Sequence, residues 1–238
     1  KLALVGINGA GKSTIVKLMC GFYQPDSGCV RINGVDILEL NLDDYYSYLA
    51  VVFQEAFSYS FSILENISCD LLENSNQEKG IQALKKAGLW EKIQDLSSQE
   101  KTYLNKDIEE EGIQLSGGEL QKLMLARALY KDCKLVLLDE PTAALDAIAE
   151  HEMYQKYATV LEGKSALFIS HRLASTRFCD HILFLENGKI VECGTHDELM
   201  DHNSQYANMF QVQSKYYKEG KDGEAVDVET SEELFSCH

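Results

Sequence analysis

An α/β fold is what this sequence predicts: a mainly parallel sheet flanked by helices, with an α-helical subdomain inserted in its middle and a small antiparallel β portion. Three observations carry that prediction. The short apolar runs "KLALVG", "KLVLLDE", "SALFISH" and "HILFLENG" have the unbroken hydrophobicity of strands covered on both faces. A glycine-rich stretch, residues 6–13, joins the first run to a helical segment. Between residues 63 and 130 the apolar spacing is helical, so the α/β pattern is interrupted and then resumes.

The elements follow in order. The chain starts within its first strand, and a segment ahead of it is expected to cover that strand's edge, so the reading is of an N-terminally truncated core. A helix is expected over residues 12–19, ended by Gly21 and Pro25. "GCVRINGVDI" alternates about Asn33 and Gly34 and reads as a hairpin, the small antiparallel portion. "LDDYYSYLA" is a short helix, and "AVVF" a buried strand leading to Gln54. The helical stretches are "SILENIS", "NQEKGIQALKKAGLWEKI" and "LSGGELQKLMLARALY". A last hairpin turns at "ENGKI", after which Thr195 and Glu198 make a capping box. The division is residues 1–62 for the first part of the core, 63–130 for the helical subdomain, 131–218 for the second part, and 219–238 for a tail.

Composition limits the function. With 238 residues, 45% hydrophobic and 25% charged, the chain suits one globular α/β domain with an insertion. A net charge of -16 argues against nucleic acid as a ligand. The tail holds seven acids against one lysine and few large apolar residues, and is expected to be disordered. No run approaches the ~20 apolar residues of a membrane span. The seven cysteines, Cys20, Cys29, Cys69, Cys133, Cys179, Cys193 and Cys237, show no C-x-x-C spacing, and are expected as reduced, buried thiols in a cytosolic protein.

"GINGAGKS", residues 6–13, fits G-x-x-x-x-G-K-[ST] between a strand and a helix, the P-loop arrangement. Its glycines let backbone N–H groups point at a phosphate, and the helix N-terminus adds its positive end. The expected ligand set is Asn8, Gly9, Ala10, Gly11, Lys12, Ser13 and Thr14, with Lys12 bridging β- and γ-phosphates and Ser13 giving its hydroxyl to Mg²⁺. "KLVLLDE" ends in two carboxylates at the ligand-binding edge of such a sheet. Asp139 suits Mg²⁺ and Glu140 an attacking water, although an acidic pair in that place is also a common helix cap. His171 ends the next strand, where an imidazole can donate to a γ-phosphate or serve structure. "LSGGE" opens a second helix on Ser116, Gly117 and Gly118, another anion site of backbone N–H groups, but without a lysine.

In this order, P-loop, Gln54, "LSGGE", "LLDEP", "ALD" and "SH" resemble the nucleotide-binding domain of ATP-binding cassette (ABC) proteins, and the likeness runs from the start to about Met200. The resemblance implies a P-loop NTPase core. It gives Lys12 and Ser13 the Walker A roles, Gln54 a catalytic and metal-side role in the Q-loop, Asp139 the Walker B metal role and Glu140 the base. It makes His171 the switch histidine and Asp146 the D-loop aspartate. It also implies that two such domains pair head to tail, each ATP closed between one P-loop and the other subunit's signature, here Ser116, Gly117, Gly118 and Glu119. "EEEGIQLSGGE" and "ISHRLASTRFCDHILFLENGKIVECGTHDELM" look like the exporter type. Phe53, Phe57, Tyr59 and Phe61, beside Gln54, lie where the family receives the coupling helix of a transmembrane domain, core packing being the other reading. The family's adenine-stacking aromatic lies upstream of the P-loop, ahead of this chain's first residue.

The expected function is therefore an ATPase using ATP and Mg²⁺, dimeric and most simply a homodimer, driving export from the cytoplasmic face of the cell membrane. The alternatives are a soluble ABC ATPase without a transporter, for example in cluster assembly, and a module that clamps ATP without turnover.

Overall fold

The computed structural model describes residues 1–219 other than Ala143, Ala144 and Asp146. In chain order the first half contains β1 (Leu2–Val5), α1 (Lys12–Met19), β2 (Arg31–Ile32), β3 (Val35–Asp36), α2 (Leu42–Tyr48) and β4 (Leu49–Val52). Next come α3 (Ile63–Ser68), α4 (Gln77–Ala87), α5 (Trp90–Ile93) and α6 (Gly117–Lys131). The second half contains β5 (Leu135–Asp139), α7 (Ala147–Val160), β6 (Ser165–Ile169), β7 (His181–Glu186), β8 (Lys189–Gly194), α8 (His196–Asp201) and α9 (Gln205–Glu219). Of the acidic tail expected over residues 219–238, residues 220–238 lie outside the described residues, as does the D-loop aspartate Asp146.

Six strands form one sheet in the order β4-β5-β6-β1-β7-β8. All neighbours are parallel except β7 and β8, which form the antiparallel hairpin about Asn187 and Gly188. The pair β2 and β3 is a separate antiparallel hairpin turning at Asn33 and Gly34. The expected fold class is the observed one.

Period-two alternation assigns the two faces of the sheet. Ala3 and Val5 of β1, Val136 and Leu138 of β5, and Ala166 and Phe168 of β6 enter one core, shared with α3, α4, α6 and α7. Leu4, Leu137, Leu167 and Ile169 point the other way, to a second core with Val16 of α1 and Tyr45 of α2. Burial on both sides explains why these strands read as continuous apolar runs.

The helical region has its own local logic. Ser62 and Glu65 form a capping box that starts α3. α4 ends at Gly88, left-handed with φ 71°, where Leu89 N–H donates to Leu84 O at 3.0 Å. That is a Schellman closure, so the expected helical stretch from Asn76 to Ile93 is two helices with a glycine break. α4 and α3 both pack on α6. The cysteine expectation needs correction: Cys20, Cys133 and Cys179 are buried thiols, but Cys29, Cys69 and Cys193 are exposed. All six are free. Among the described residues no helix is long and apolar enough to cross a membrane.

Leu84 is fully buried on α4, in the core shared with α6. Leu84→Ala is expected to lower unfolding stability by about 2–5 kcal/mol, the cost of a buried leucine cavity. Denaturant titration of the two proteins measures it, and a change within error would show that α4 does not anchor the helical region.

Candidate functional site

Because β1, β6, β5 and β4 are parallel, the loops at their C-terminal ends meet at one edge of the sheet. Register fixes the alignment: Leu4 pairs with Ile169, Ile169 with Asp139, and Leu138 with Val52. The loop after β1 carries Lys12, the end of β5 carries Asp139 and Glu140, and His171 and Gln54 follow β6 and β4.

The glycine loop is shaped by contact as well as by torsion. Gly6 has φ 153°, and a Cβ there would lie 2.1 Å from Leu185 O on β7. Only glycine allows that approach. On its far side Ala10 O accepts from Gly188 N–H at 3.2 Å, so the β7–β8 hairpin supports the loop twice. Asn8 and Gly9 are exposed at the crest and Ala10 is buried. Gly11, with φ 100°, caps α1 in the left-handed region, and Thr14 is exposed in the first turn.

Lys12 is buried, and its Nζ donates to Gly6 O at 2.9 Å and Ile7 O at 3.0 Å. Burial pushes its ammonium pKa down, while the Glu140 and Asp139 charges oppose that shift. Ser13 Oγ donates to Asp139 Oδ1 at 3.1 Å. Asp139 is itself buried; burial raises its carboxyl pKa and Glu140 adds to the rise, against the hydrogen bond from Ser13.

Glu140 leaves the strand in a left-handed conformation, φ 47°, with its N–H donating to Ile169 O at 3.0 Å. A non-glycine residue there carries backbone strain of a kind that gathers at functional sites. Its Oε1 lies 3.2 Å from Nδ1 of His171. Gln54 is exposed on the loop beyond Val52.

Three partners were not readable from the motifs. Gln213 of α9 donates from Nε2 to His171 O at 2.6 Å and accepts from Leu173 N–H at 2.9 Å, clamping the backbone about the histidine. Arg172 pairs with Glu150 of α7, which also accepts from Thr142 at 3.0 Å. Lys92 of α5 donates to Glu119 Oε2 at 2.7 Å. Each joins residues far apart in sequence, and no local signal announces them.

The residues present fit the magnesium nucleotide that the motifs imply. The loop glycines leave open backbone, since an added Cβ at Gly9 or Gly11 meets nothing within 4 Å. A hydroxyl and a carboxylate, Ser13 and Asp139, stand together as hard oxygen donors. Mg²⁺ takes only one or two such groups from a protein when phosphate supplies others.

The signature turn lies apart from this edge. Ser116 caps α6, its Oγ accepting from Glu119 N–H at 3.4 Å while Glu119 Oε2 accepts from Ser116 N–H at 2.8 Å. Gly117 is exposed at the first helical position. Burial pulls the Glu119 carboxyl pKa up, but the hydrogen bonds from Lys92 and Ser116 outweigh it and hold it low. A cleft of ~140 Å³ opens here between α6 and α7, lined by Ser116, Gly118, Glu119, Lys122, Glu152 and Lys156 among others, and by no residue of the glycine loop.

Of the aromatics after β4, Phe57, Tyr59 and Phe61 are 50%, 51% and 51% exposed. Core packing therefore fails for these three, while Phe53 is half-buried and stacks on Phe22. Asn66, buried on α3, holds their loop by donating to Tyr59 O and Phe61 O and accepting from Tyr59 N–H. The Arg127 guanidinium lies 5.9 Å from the Phe57 ring and 6.0 Å from that of Tyr59.

The sequence pattern of a family described as ABC transporter matches residues 1–143. An ATP-dependent lipid A-core flippase of Alcanivorax borkumensis is 36% identical over 211 residues, covering 89% of this chain and 36% of the relative. The subtilin transport ATP-binding protein SpaT of Bacillus subtilis is 36% identical over 231 residues, 92% of this chain and 37% of the relative. A bacterial Atm1-family ABC exporter solved with ATP bound superposes with TM-score 0.81 at 30% identity, covering 95% of this chain and 37% of that one. The chain thus spans little more than a third of the length of these relatives.

The sign of the Asp139 shift yields a prediction. Its pKa is raised on folding, so the ionised carboxylate costs stability above the folded pKa, and that cost disappears as pH falls below the unfolded value. Asp139→Asn, which keeps an acceptor for Ser13, is expected to melt higher than the parent at neutral pH, as differential scanning calorimetry would measure. Equal or lower melting temperature would refute the desolvation cost.

Proposed function

The chain belongs to the ABC transporter family, and on that premise we propose that it binds and hydrolyses ATP, pairs head to tail with a second such domain, and powers export through transmembrane partners. The observation that carries this reading is the cluster at one sheet edge: buried Lys12, Ser13 joined to Asp139, and Glu140 3.2 Å from His171.

The roles follow from the chemistry of each group. The N–H groups of the loop from Asn8 to Thr14 receive phosphate oxygens, and Lys12 adds a cation where charge gathers on the β- and γ-phosphates. Ser13, Asp139 and Gln54 would hold Mg²⁺, which neutralises phosphate charge when bound. Glu140 accepts a proton from the attacking water. His171 orients that carboxylate and donates to the γ-phosphate, its backbone held by Gln213. Asp146 keeps its role on the resemblance alone.

The proposed second jaw is the signature turn of another subunit. Its separate cleft supports this, for a glycine-rich helix start without a lysine is a weak phosphate site by itself. The exposed aromatics Phe57, Tyr59 and Phe61, with Phe53 and Arg127, form the surface for a transmembrane coupling helix at the cytoplasmic face of the membrane. Residues 63–130 are the helical subdomain that carries Arg127 and the signature turn, while the aromatics stand just ahead of it. The relatives differ in cargo, a lipid A-core for the flippase and subtilin for SpaT.

Glu140→Gln tests the base: with ATP it is expected to form a stable dimer while phosphate release falls by orders of magnitude, and unchanged turnover would remove Glu140 from the role. A mixing experiment tests the jaw. Co-assembly of a Lys12→Ala chain with a Gly118→Asp chain leaves one composite site intact and is expected to recover partial activity. A dead mixture, with heterodimers demonstrated, would exclude either the trans arrangement or independent sites.

A further inference from the structure

The carboxylate of Glu119 stands where a negative charge opposes the proposed ligand. It lies in the first turn of α6, accepting from Ser116 N–H. Beside it the N–H groups of Gly117 and Gly118 have no acceptor within the helix. A phosphate arriving there meets a like charge, and the helix N-terminus, already partly satisfied by its own carboxylate, has less field to offer it.

The fold answers with a cation from another helix. Lys92, on α5, donates to the same Oε2 atom that takes the Ser116 N–H. The side chains are 40% and 25% exposed, so the pair is only partly screened by solvent. α5 is held in place by Ile93, which is fully buried, and it follows directly on the Gly88 break. Two other lysines border the cleft, yet neither substitutes. Among the described residues no hydrogen bond or ion pair joins Lys122 or Lys156 to Glu119, and the amine of Lys156 packs against Gly88 instead.

We propose that Lys92 is a positioning residue for the signature turn: by neutralising Glu119 it keeps the α6 N-terminus receptive to the γ-phosphate of an ATP held by another subunit's P-loop. The proposal rests on the trans-signature reading above. It makes the glycine break after α4 functional, because that break turns the chain so that α5 presents a charge to α6. It also makes affinity for ATP in the closed pair depend on a residue outside every recognised motif.

The test is a double-mutant cycle read by steady-state ATP hydrolysis. Lys92→Met, which keeps the apolar stem, is expected to raise KM for ATP about fivefold, the upper worth of a partly exposed ion pair, with kcat retained because Glu140 and His171 are untouched. Lys92→Arg is expected to restore KM. In a Glu119→Gln background, Lys92→Met should have no further effect, since no charge remains to neutralise. A purely structural lysine would give the same loss in both backgrounds, and that result overturns the proposal, as does an unchanged KM for Lys92→Met. Lys92→Gln serves as the second neutral variant should the methionine protein melt early. Gly118→Asp separates the two levels of argument: if it leaves hydrolysis intact, the trans-signature reading itself fails, whatever Lys92 does.

Discussion

Parallel pairing of β1 with β6 and of β6 with β5 is the constraint from which the site descends. Three strands running the same way deliver three loop starts to one edge, and the register that sets Leu4 beside Ile169 and Ile169 beside Asp139 fixes how far along that edge each stands. A slip of one residue would exchange the two faces of a strand and send Leu138 and Phe168 to the opposite core. The apolar packing on both faces thereby also holds the polar geometry. The hairpin of β7 and β8 adds a second restraint, pressing Leu185 O toward Gly6 and giving Gly188 N–H to Ala10 O, so that the loop's shape is imposed from outside as well as permitted by its glycines.

What the edge gathers is unfavourable by itself. Lys12 and Asp139 are both buried, and desolvation opposes the charged form of each. Glu140 occupies a left-handed conformation at the end of β5. The sheet and its two cores tolerate these local costs because they stabilise the strands that present the groups, which is how a preorganised polar site is maintained in water. Lys12 bonded to two loop carbonyls and Ser13 bonded to Asp139 are groups already oriented.

The elements that sequence reasoning reaches are those with local signals. β1, α1, the hairpin at Asn33, β4, β5 and the capping box at Thr195 all announce themselves through periodicity, glycine placement or cap residues, and their structure agrees with the reading. The break at Gly88 carried a signal, glycine before an apolar residue, that the helical periodicity around it overrode. Exposure was less legible: Cys29, Cys69 and Cys193 and the aromatics from Phe57 to Phe61 are hydrophobic residue types on the surface, and composition cannot say which side of a loop faces water. Least legible were the clamp of Gln213 on His171, the Arg172–Glu150 pair and the Lys92–Glu119 pair, contacts spanning 42, 22 and 27 residues that only the tertiary fold creates.

Further long-range contacts join the two proposed phosphate cradles within one domain. An added Cβ at Gly118 would meet Leu145 at 3.1 Å, so the signature turn packs against the segment that follows Glu140. Leu145 O in turn accepts from Arg172 at 3.5 Å, and Arg172 is the residue after His171. A short chain of contacts, Gly118 to Leu145 to Arg172, therefore joins the turn proposed to face another subunit's nucleotide to the groups proposed to act on this subunit's own. In a head-to-tail pair that chain runs in both copies, linking each composite site to the other through packed side chains. In the proposed pair, closure at one site would then have a physical route to the acid and histidine of the second.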